Sequence, residues 1–288
     1  MRAAVIFGLG TSPADLKPFQ TGSRSEWIEG LPASSSDANA IVILGGDGTI
    51  HRHLPALMRL QLPVLIVPGG SGNDFARALK LRSARDSLRV WRDFESEKIQ
   101  ARAIDLGVIV PSASPETKYY FCCVAGCGLD SAVSCRANQM PRWLRGRGGY
   151  ALALLPLLPK LPAFSMRLTH FHGGDSVSAE KLTLLAAFAN TQFYGDGMRI
   201  APEADFADGK LDICRISMMN PFHFCCLFPT VYFGRHLLSP KVEYSTADRV
   251  VVETETPFDL YADGEFVCKT PAQISVAPGA LRVISPSR

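Results

Sequence analysis

Residues 40–79 repeat one short unit twice: a run of apolar residues, a glycine-rich turn, and the start of an amphipathic helix. The apolar runs are residues 40–44 and 63–67. The turns are Gly45-Gly46-Asp47-Gly48-Thr49 and Pro68-Gly69-Gly70-Ser71-Gly72-Asn73-Asp74. Apolar runs this short, without alternation, are strands buried on both faces. Strand, helix, strand, helix then requires a parallel sheet covered by helices. A glycine turn that leads from a strand into a helix exposes backbone N–H groups, and the helix dipole favours an anion there. Two such turns side by side at one sheet edge make a site for a phosphorylated group.

Asp47 sharpens that reading. A carboxylate beside a phosphate is repulsive unless a divalent cation lies between them, so Asp47 points to Mg²⁺. Asp74 follows the same logic, although an acidic residue in the first turn of a helix is also favourable with the dipole alone. The chain has 288 residues, 47% apolar and 20% charged, with net charge +3. This is globular composition, and the charge is too mild to argue for nucleic acid. Residues 1–10 lack the long apolar region of a signal peptide and read as a first strand. The longest apolar run, 150–158, is shorter than the ~20 residues a membrane span needs. The expectation is a soluble, cytoplasmic protein that can meet a membrane peripherally. Eight cysteines include two adjacent pairs and no C-x-x-C, which fits small buried residues in a reducing compartment.

Along the chain, residues 3–7 read as a strand and 11–39 as irregular. A helix begins at Thr49, and Pro55 is expected to kink or restart it. Ser71 or Asn73 caps a second helix to about Leu79, and a third covers 85–94. Beyond residue 101 the pattern changes. Strands are expected at 103–110, 118–124, 182–189, 211–217, 249–253, 258–262 and 273–276, with helices only at 130–138, 149–158 and 222–238. The predicted organisation is an α/β nucleotide-binding domain over 1–104 and a mainly antiparallel β domain over 105–270. Residues 271–288 return to the first domain as a strand.

The common nucleotide motifs G-x-x-x-x-G-K-[ST] and G-x-G-x-x-G are absent. The two turns, with Phe75-Ala76 after the second, instead resemble the diacylglycerol kinase catalytic-domain family. That family includes bacterial soluble lipid kinases, is related to sphingosine and ceramide kinases, and is more distantly related to NAD kinases. The likeness continues through Ile104-Asp105-Leu106-Gly107 and the segment FCCVAGCGLD at 121–130. It runs on through GDGMRIAP at 195–202, Asp208-Gly209-Lys210-Leu211-Asp212 and Asp263-Gly264-Glu265. The chain departs from the family at Phe7-Gly8-Leu9-Gly10-Thr11, where an N-P-x-S-G loop is usual, and in a shortened segment before Gly45.

The resemblance implies a Rossmann-like, NAD-kinase-type first domain and a β-sandwich second domain, with the active site in the cleft between them. It implies ATP and Mg²⁺ as cofactors and a lipid hydroxyl as acceptor. Gly45, Gly46, Asp47, Gly48, Thr49, Ser71 and Asn73 would bind nucleotide. Asp47, Asp74 and Asp105 would organise the catalytic Mg²⁺. Asp205, Asp208 and the Lys210 carbonyl match a second Mg²⁺ site, which read from the residues alone is equally an Asp-Gly turn. Asp263 and Glu265 are the candidate bases, and they share one face only if Gly264 does not make a turn. The expected partner is a lipid at a membrane surface, met through residues 142–164, where Arg142, Arg145 and Arg147 flank Trp143. No nucleic acid is expected, and a homodimer is an open option. The alternatives are a non-catalytic lipid-binding protein on the same fold and a kinase of a soluble nucleotide such as NAD.

Overall fold

In the computed structural model, which describes residues 1–139 and 149–286, the two apolar runs are neighbouring parallel strands, β3 (Ala40–Gly45) and β4 (Val64–Pro68). β1 (Arg2–Phe7) pairs with the other side of β3, and β2 (Glu26–Glu29) pairs with β1, both parallel. The strand order is β4-β3-β1-β2. The chain winds from β1 to β2 in one direction and from β3 to β4 in the other. The order therefore reverses between β1 and β3, and the crevice beyond the carboxyl ends of those two strands is where open parallel sheets bind ligands.

α2 (Asp47–Leu60) joins β3 to β4 and buries Ile50, Leu54, Leu57 and Leu60, each contributing about 1.5–3 kcal/mol of burial. It starts at Asp47 rather than Thr49, and Pro55 neither restarts nor ends it. Pro55 lies on the exposed side. The lost backbone bond is thus on the solvent face, while the buried stripe runs on past it. Residues 11–39, expected to be irregular, hold α1 (Pro13–Gln20) between β1 and β2. α1 buries only Leu16 and Phe19 and contains Pro18, and β2 is a four-residue edge strand with exposed ends. Neither element leaves a strong periodic signal. α3 (Asp74–Ala78) is five residues long. α4 (Ala84–Glu95) is capped by Ser83, whose hydroxyl accepts from the Asp86 N–H at 3.2 Å. The Ser87 hydroxyl donates to the Ile66 carbonyl at 2.8 Å and ties α4 to β4. Trp91, fully buried, packs against Trp27 and Phe94 with ring centroids 5.3 and 5.9 Å away.

These elements form one unit, Met1–Asp105 with Pro278–Arg288; the second unit is Leu106–Ala277. β5 (Arg102–Pro111) carries the chain out of the first unit, and β15 (Ala272–Val283) brings it back, where Val283 pairs in parallel with Val64.

The second unit is built from antiparallel strands. In chain order they are β6 (Tyr119–Phe121), β7 (Val124–Gly128), β8 (Phe164–His172), β9 (Asp175–Ala189), β10 (Leu211–Ser217), β11 (Val242–Ala247), β12 (Arg249–Thr254), β13 (Asp259–Ala262) and β14 (Glu265–Lys269). The second half of β9 lies between β7 and β10, and its first half forms a hairpin with β8. Strands are present at the expected places, with two differences: the one expected over 118–124 is two, β6 and β7, separated at Cys122-Cys123, and β9 begins seven residues before the expected 182. β8, β11 and β14 are additional, and their half-exposed, polar-rich sequences hide them. Phe121 lies over Gly107, where an added Cβ would stand 2.0 Å from its ring.

Among the described residues, three helices accompany these strands: α5 (Leu129–Gln139), α6 (Gly149–Leu154) and α7 (Pro221–Val231). A 3-10 turn, Leu155–Lys160, follows α6, and another, Arg235–Leu238, follows α7. The single helix expected over 222–238 is interrupted at Gly234, which adopts φ +69. Cys225 and Cys226 are exposed, contrary to the expectation that all cysteines are buried. Cys127 and Cys214 are buried, and burial pushes both thiols up to about 12. Arg142, Trp143, Arg145 and Arg147 lie outside the described residues. Among the described residues no helix is long and apolar enough to cross a membrane.

Candidate active site

Three glycine turns meet at the carboxyl ends of β1, β3 and β4. Gly8 donates its N–H to the Leu44 carbonyl at 2.7 Å, and Gly69 donates to the Gly45 carbonyl at 3.1 Å. Gly46 and Gly70 touch backbone to backbone. A Cβ on Gly46 would lie 2.7 Å from the Gly70 Cα, and one on Gly70 would lie 2.5 Å from the Gly46 Cα. Only residues without a side chain allow this approach. The Thr49 side chain fills the space beside Gly8 and Gly45. The Thr11 hydroxyl lies 2.9 Å from both the Gly8 and the Leu44 carbonyls. Phe7-Gly8-Leu9-Gly10-Thr11, which departs from the family pattern, is therefore a working part of this crown. Thr11 was not among the expected site residues, and its signal is its place three residues past the first strand's glycine. Gly48, Gly69, Gly70 and Ser71 are exposed at the tip.

The polar side chains bind the turns to each other. Asp47 accepts the backbone N–H of Asp74 on one carboxylate oxygen and that of Phe75 on the other, each at 3.0 Å. Asn73, in the left-handed region at φ +55, clamps Gly70 with its amide: Oδ1 accepts the Gly70 N–H at 2.8 Å and Nδ2 donates to the Gly70 carbonyl at 2.7 Å. Asn73 thus shapes the second turn. Asp74 is buried and paired with Arg77.

An Mg²⁺ ion in phosphoryl transfer is held by one or two carboxylates together with substrate phosphates and water. Among the described residues no three His, Cys, Asp or Glu side chains gather into a metal cage. Asp47 fits the lighter requirement: it lies beside the exposed turns, and each oxygen of a carboxylate can accept more than one bond. Asp105 lies on β5, where it is buried and accepts the Gly279 N–H at 2.8 Å, anchoring the returning β15.

In the second unit, Asp205 accepts from the Ala207 N–H at 3.1 Å and Asp208 from the Lys210 N–H at 3.0 Å. This acidic turn closes on itself through its own backbone, with Gly209 at φ +75. Asp263 and Gly264 have φ +50 and +85 and form the turn between β13 and β14, so Asp263 and Glu265 do not share one strand face. The Asp263 carboxylate accepts the N–H groups of Cys122 at 2.7 Å and Cys123 at 2.8 Å. Asn190 holds the same dipeptide by donating its side-chain amide to the Cys122 carbonyl at 2.9 Å. Asp263 is therefore a fixture of the β6–β7 connection. Glu265, the first residue of β14, is exposed.

The second unit also contains an apolar cavity under α5, α6 and α7. Leu129, Leu154, Leu185, Ile216 and Phe228 are among its lining residues, and its open volume is about 40 Å³. Among the described residues Asp130 is the one acidic residue in this lining, and it is 6% exposed. Its carboxylate needs Gly126 opposite, where a Cβ would come within 1.9 Å of it. Sequence reasoning did not single out Asp130; the glycines of β7 that make room for it were the available signal.

Residues 15–109 match the diacylglycerol kinase catalytic domain, and residues 123–285 match the YegS C-terminal NAD kinase beta sandwich-like domain. A Mycobacterium tuberculosis diacylglycerol kinase is 37% identical over 256 residues, covering 88% of this chain and 79% of that protein. The chain belongs to the diacylglycerol kinase family. As a member it is an enzyme of a kinase family, with an α/β first domain and a β-sandwich-like second domain. The fold agrees with the crystal structure of a diacylglycerol kinase from Bacillus anthracis, at TM-score 0.69 and 18% identity over 99% of this chain and 97% of that one. It also agrees with an Archaeoglobus fulgidus NAD kinase solved with ATP, at TM-score 0.53 and 16% identity over 99% and 94%.

Proposed function

We propose that this diacylglycerol kinase family member transfers the γ-phosphate of ATP to the hydroxyl of diacylglycerol or a similar lipid. The observation that carries this reading is the meeting of three glycine turns at the point where the strand order reverses. Backbone N–H groups of residues 46–48 and the Ser71 hydroxyl hold the nucleotide phosphates, and their rigidity comes from the Asp47 and Asn73 bonds that lock the turns, with the Thr49 N–H donated to the Gly46 carbonyl at 2.9 Å. Asp47, with help from Asp74, would hold Mg²⁺, which when bound would supply charge neutralisation on the phosphates. Glu265 takes the proton of the attacking hydroxyl, because an alcohol is a poor nucleophile until that proton leaves. Asp263, with both oxygens on backbone amides, is the weaker candidate.

The apolar lining of the second-unit cavity supports a lipid over a soluble nucleotide such as NAD: its open volume of about 40 Å³ takes only part of a hydrocarbon chain, but an apolar wall gives a dinucleotide nothing to gain. The packing of the Gly8–Thr11 turn into the crown favours a nucleotide-binding protein over a purely lipid-binding one. The test is incubation with ATP, Mg²⁺ and a panel of lipid alcohols in mixed micelles. A phosphorylated diacylglycerol is the expected product, whereas lipid binding without any phosphate transfer contradicts the proposal.

A further inference from the structure

The segment GDGMRIAP at 195–202, which the reaction above leaves unused, begins with a closed loop in the second unit. Tyr194 and Met198 seal its neck by exchanging backbone bonds: the Tyr194 N–H donates to the Met198 carbonyl at 3.0 Å and the Met198 N–H to the Tyr194 carbonyl at 2.9 Å. Between them Gly195, Asp196 and Gly197 have φ +57, +67 and +96. Left-handed residues ordinarily occur singly, because a Cβ there crowds the following carbonyl. Glycine avoids that cost, and aspartate bears it better than most side chains do. Asp196 is exposed at the tip, so packing does not require its side chain. A side chain kept in a conformation that glycine would adopt more cheaply points to a use for its carboxylate.

The loop stands on the apolar cavity. Tyr194 and Met198 are in the cavity lining, and so is Ile200 just beyond. The Arg199 N–H donates to the Val231 carbonyl at 3.1 Å, and the His236 Nε2–H donates to the Ile200 carbonyl at 3.0 Å. These bonds fix the loop to the end of α7 and to the 3-10 turn after it. On its other side the chain enters the loop from β9. There the N–H groups of Asn190 and Thr191 donate to the Cys123 carbonyl at 2.8 and 3.2 Å. The Cys122-Cys123 dipeptide is the one that Asp263 holds. Residues 190–198 therefore run from beside the turn that leads into Glu265 to the rim of the cavity.

An anion at this rim meets carboxylates. Asp196 is at the tip, and Asp130 is in the cavity lining. The Arg199 guanidinium is engaged at the base of the loop, donating to the Gln192 side-chain oxygen at 3.1 Å and lying 5.8 Å from the centre of the Phe193 ring. The flanking segments add one exposed residue of each sign, Glu203 and Arg235. Burial holds the His236 pKa below the ordinary value, so it adds no cation at neutral pH. A lipid alcohol is uncharged, whereas its phosphomonoester carries about −1.5 to −2 at pH 7.

We propose that the loop Gly195–Gly197 is a charge-selective collar for the polar end of the acceptor lipid. Asp196 accepts hydrogen bonds from a neutral, hydroxyl-bearing headgroup and repels a phosphorylated one, so that the product leaves once it is formed. The collar rests on the lipid-kinase reading and adds to it the class of acceptor, a neutral lipid alcohol, and a specificity-determining residue.

The experiment is calorimetric titration of the full chain, without nucleotide, with a short-chain diacylglycerol and with the matching short-chain phosphatidate, each below its micelle concentration. The wild type is expected to bind the diacylglycerol more tightly, by a margin that narrows with added salt. Asp196→Asn keeps an acceptor oxygen and tolerates the left-handed conformation; Asp196→Gly fits that conformation without strain. Both variants are expected to bind phosphatidate at least ~5-fold more tightly than the wild type, with the diacylglycerol affinity of Asp196→Asn changed less than about 2-fold. Phosphatidate affinity unchanged in both variants overturns the proposal, as does equal change for both lipids. A wild type that prefers phosphatidate, or that binds neither lipid, also overturns it. Charge selectivity that both variants lose, in a protein that transfers no phosphate, supports the collar and contradicts the kinase reading alone.

Discussion

The Asp47 carboxylate accepts the backbone N–H of Asp74 at 3.0 Å, and that bond joins the two glycine turns into one site. Its second oxygen does the same for Phe75. Asp47 is thus both the residue best placed to meet a cation and the fastening of the second turn. Replacement by Asn keeps one acceptor oxygen and removes the charge. Asp47→Asn is expected to lower turnover by at least ~100-fold while costing stability only about 1–2 kcal/mol. Steady-state turnover alongside urea unfolding checks both, and unchanged turnover would remove Asp47 from the site.

Asp263 and Glu265 are separated by the same kind of comparison. Asp263→Ala leaves the amides of Cys122 and Cys123 without their acceptor and is expected to destabilise the fold by about 2–4 kcal/mol. Glu265→Gln changes an exposed side chain and is expected to leave stability within about 0.5 kcal/mol. Its turnover is expected to fall ~100-fold or more, the scale of a lost general base. Denaturant midpoints and turnover on the two variants decide the assignment; a fully active Glu265→Gln removes it as the base.

Gly46 and Gly70 test the contact between turns. With added Cβ atoms only 2.7 and 2.5 Å from the opposing Cα atoms, Gly46→Ala and Gly70→Ala must push the turns apart. Each is expected to cost roughly 1–3 kcal/mol and to weaken nucleotide binding. Calorimetric titration with ATP and Mg²⁺ reads the affinity, and an unaltered affinity in both variants would show that nucleotide binding tolerates their separation.

His236 provides a pH handle within the second unit. It is fully buried, burial holds its pKa below the ordinary histidine value, and its Nε2–H donates to the Ile200 carbonyl at 3.0 Å. With the folded pKa lowered, the unfolded chain takes up the proton first as pH falls. The histidine's contribution is therefore present above the unfolded value of about 6.5 and is lost as pH falls below it. His236→Gln keeps an N–H donor without titrating. Urea unfolding at pH 8 and pH 5 is expected to show a smaller loss in the variant than in the wild type, and parallel losses would contradict the account.

The elements that sequence reasoning captured are those whose apolar residues leave one clear pattern. Residues 40–44 and 63–67 can only be buried strands, and the helix after Gly46 shows its stripe at Ile50, Leu54 and Leu57. α1 and β2 were hidden because a short helix with two buried residues and a four-residue edge strand carry little periodicity. The expected restart at Pro55 does not occur, because a proline acts through the bond it removes, and which face that bond lies on is a tertiary fact. The site residues were legible as types but not as roles. Nothing in D-G-E says whether Gly264 turns the chain, and the turn commits Asp263 to two amides 140 and more residues away in sequence. Asn73 likewise looks like a phosphate ligand until its amide is seen on Gly70. The apolar cavity with Asp130 requires α5, α6 and α7 together, and no single stretch announces it.

The central claim is tested most directly by a competition assay. The protein is incubated with γ-labelled ATP and Mg²⁺ in the presence of both diacylglycerol in mixed micelles and soluble NAD, and the labelled products are separated. The account predicts label on the lipid, absent from NAD and greatly reduced with Glu265→Gln. Label on NAD, or hydrolysis of ATP with no labelled lipid, would contradict it.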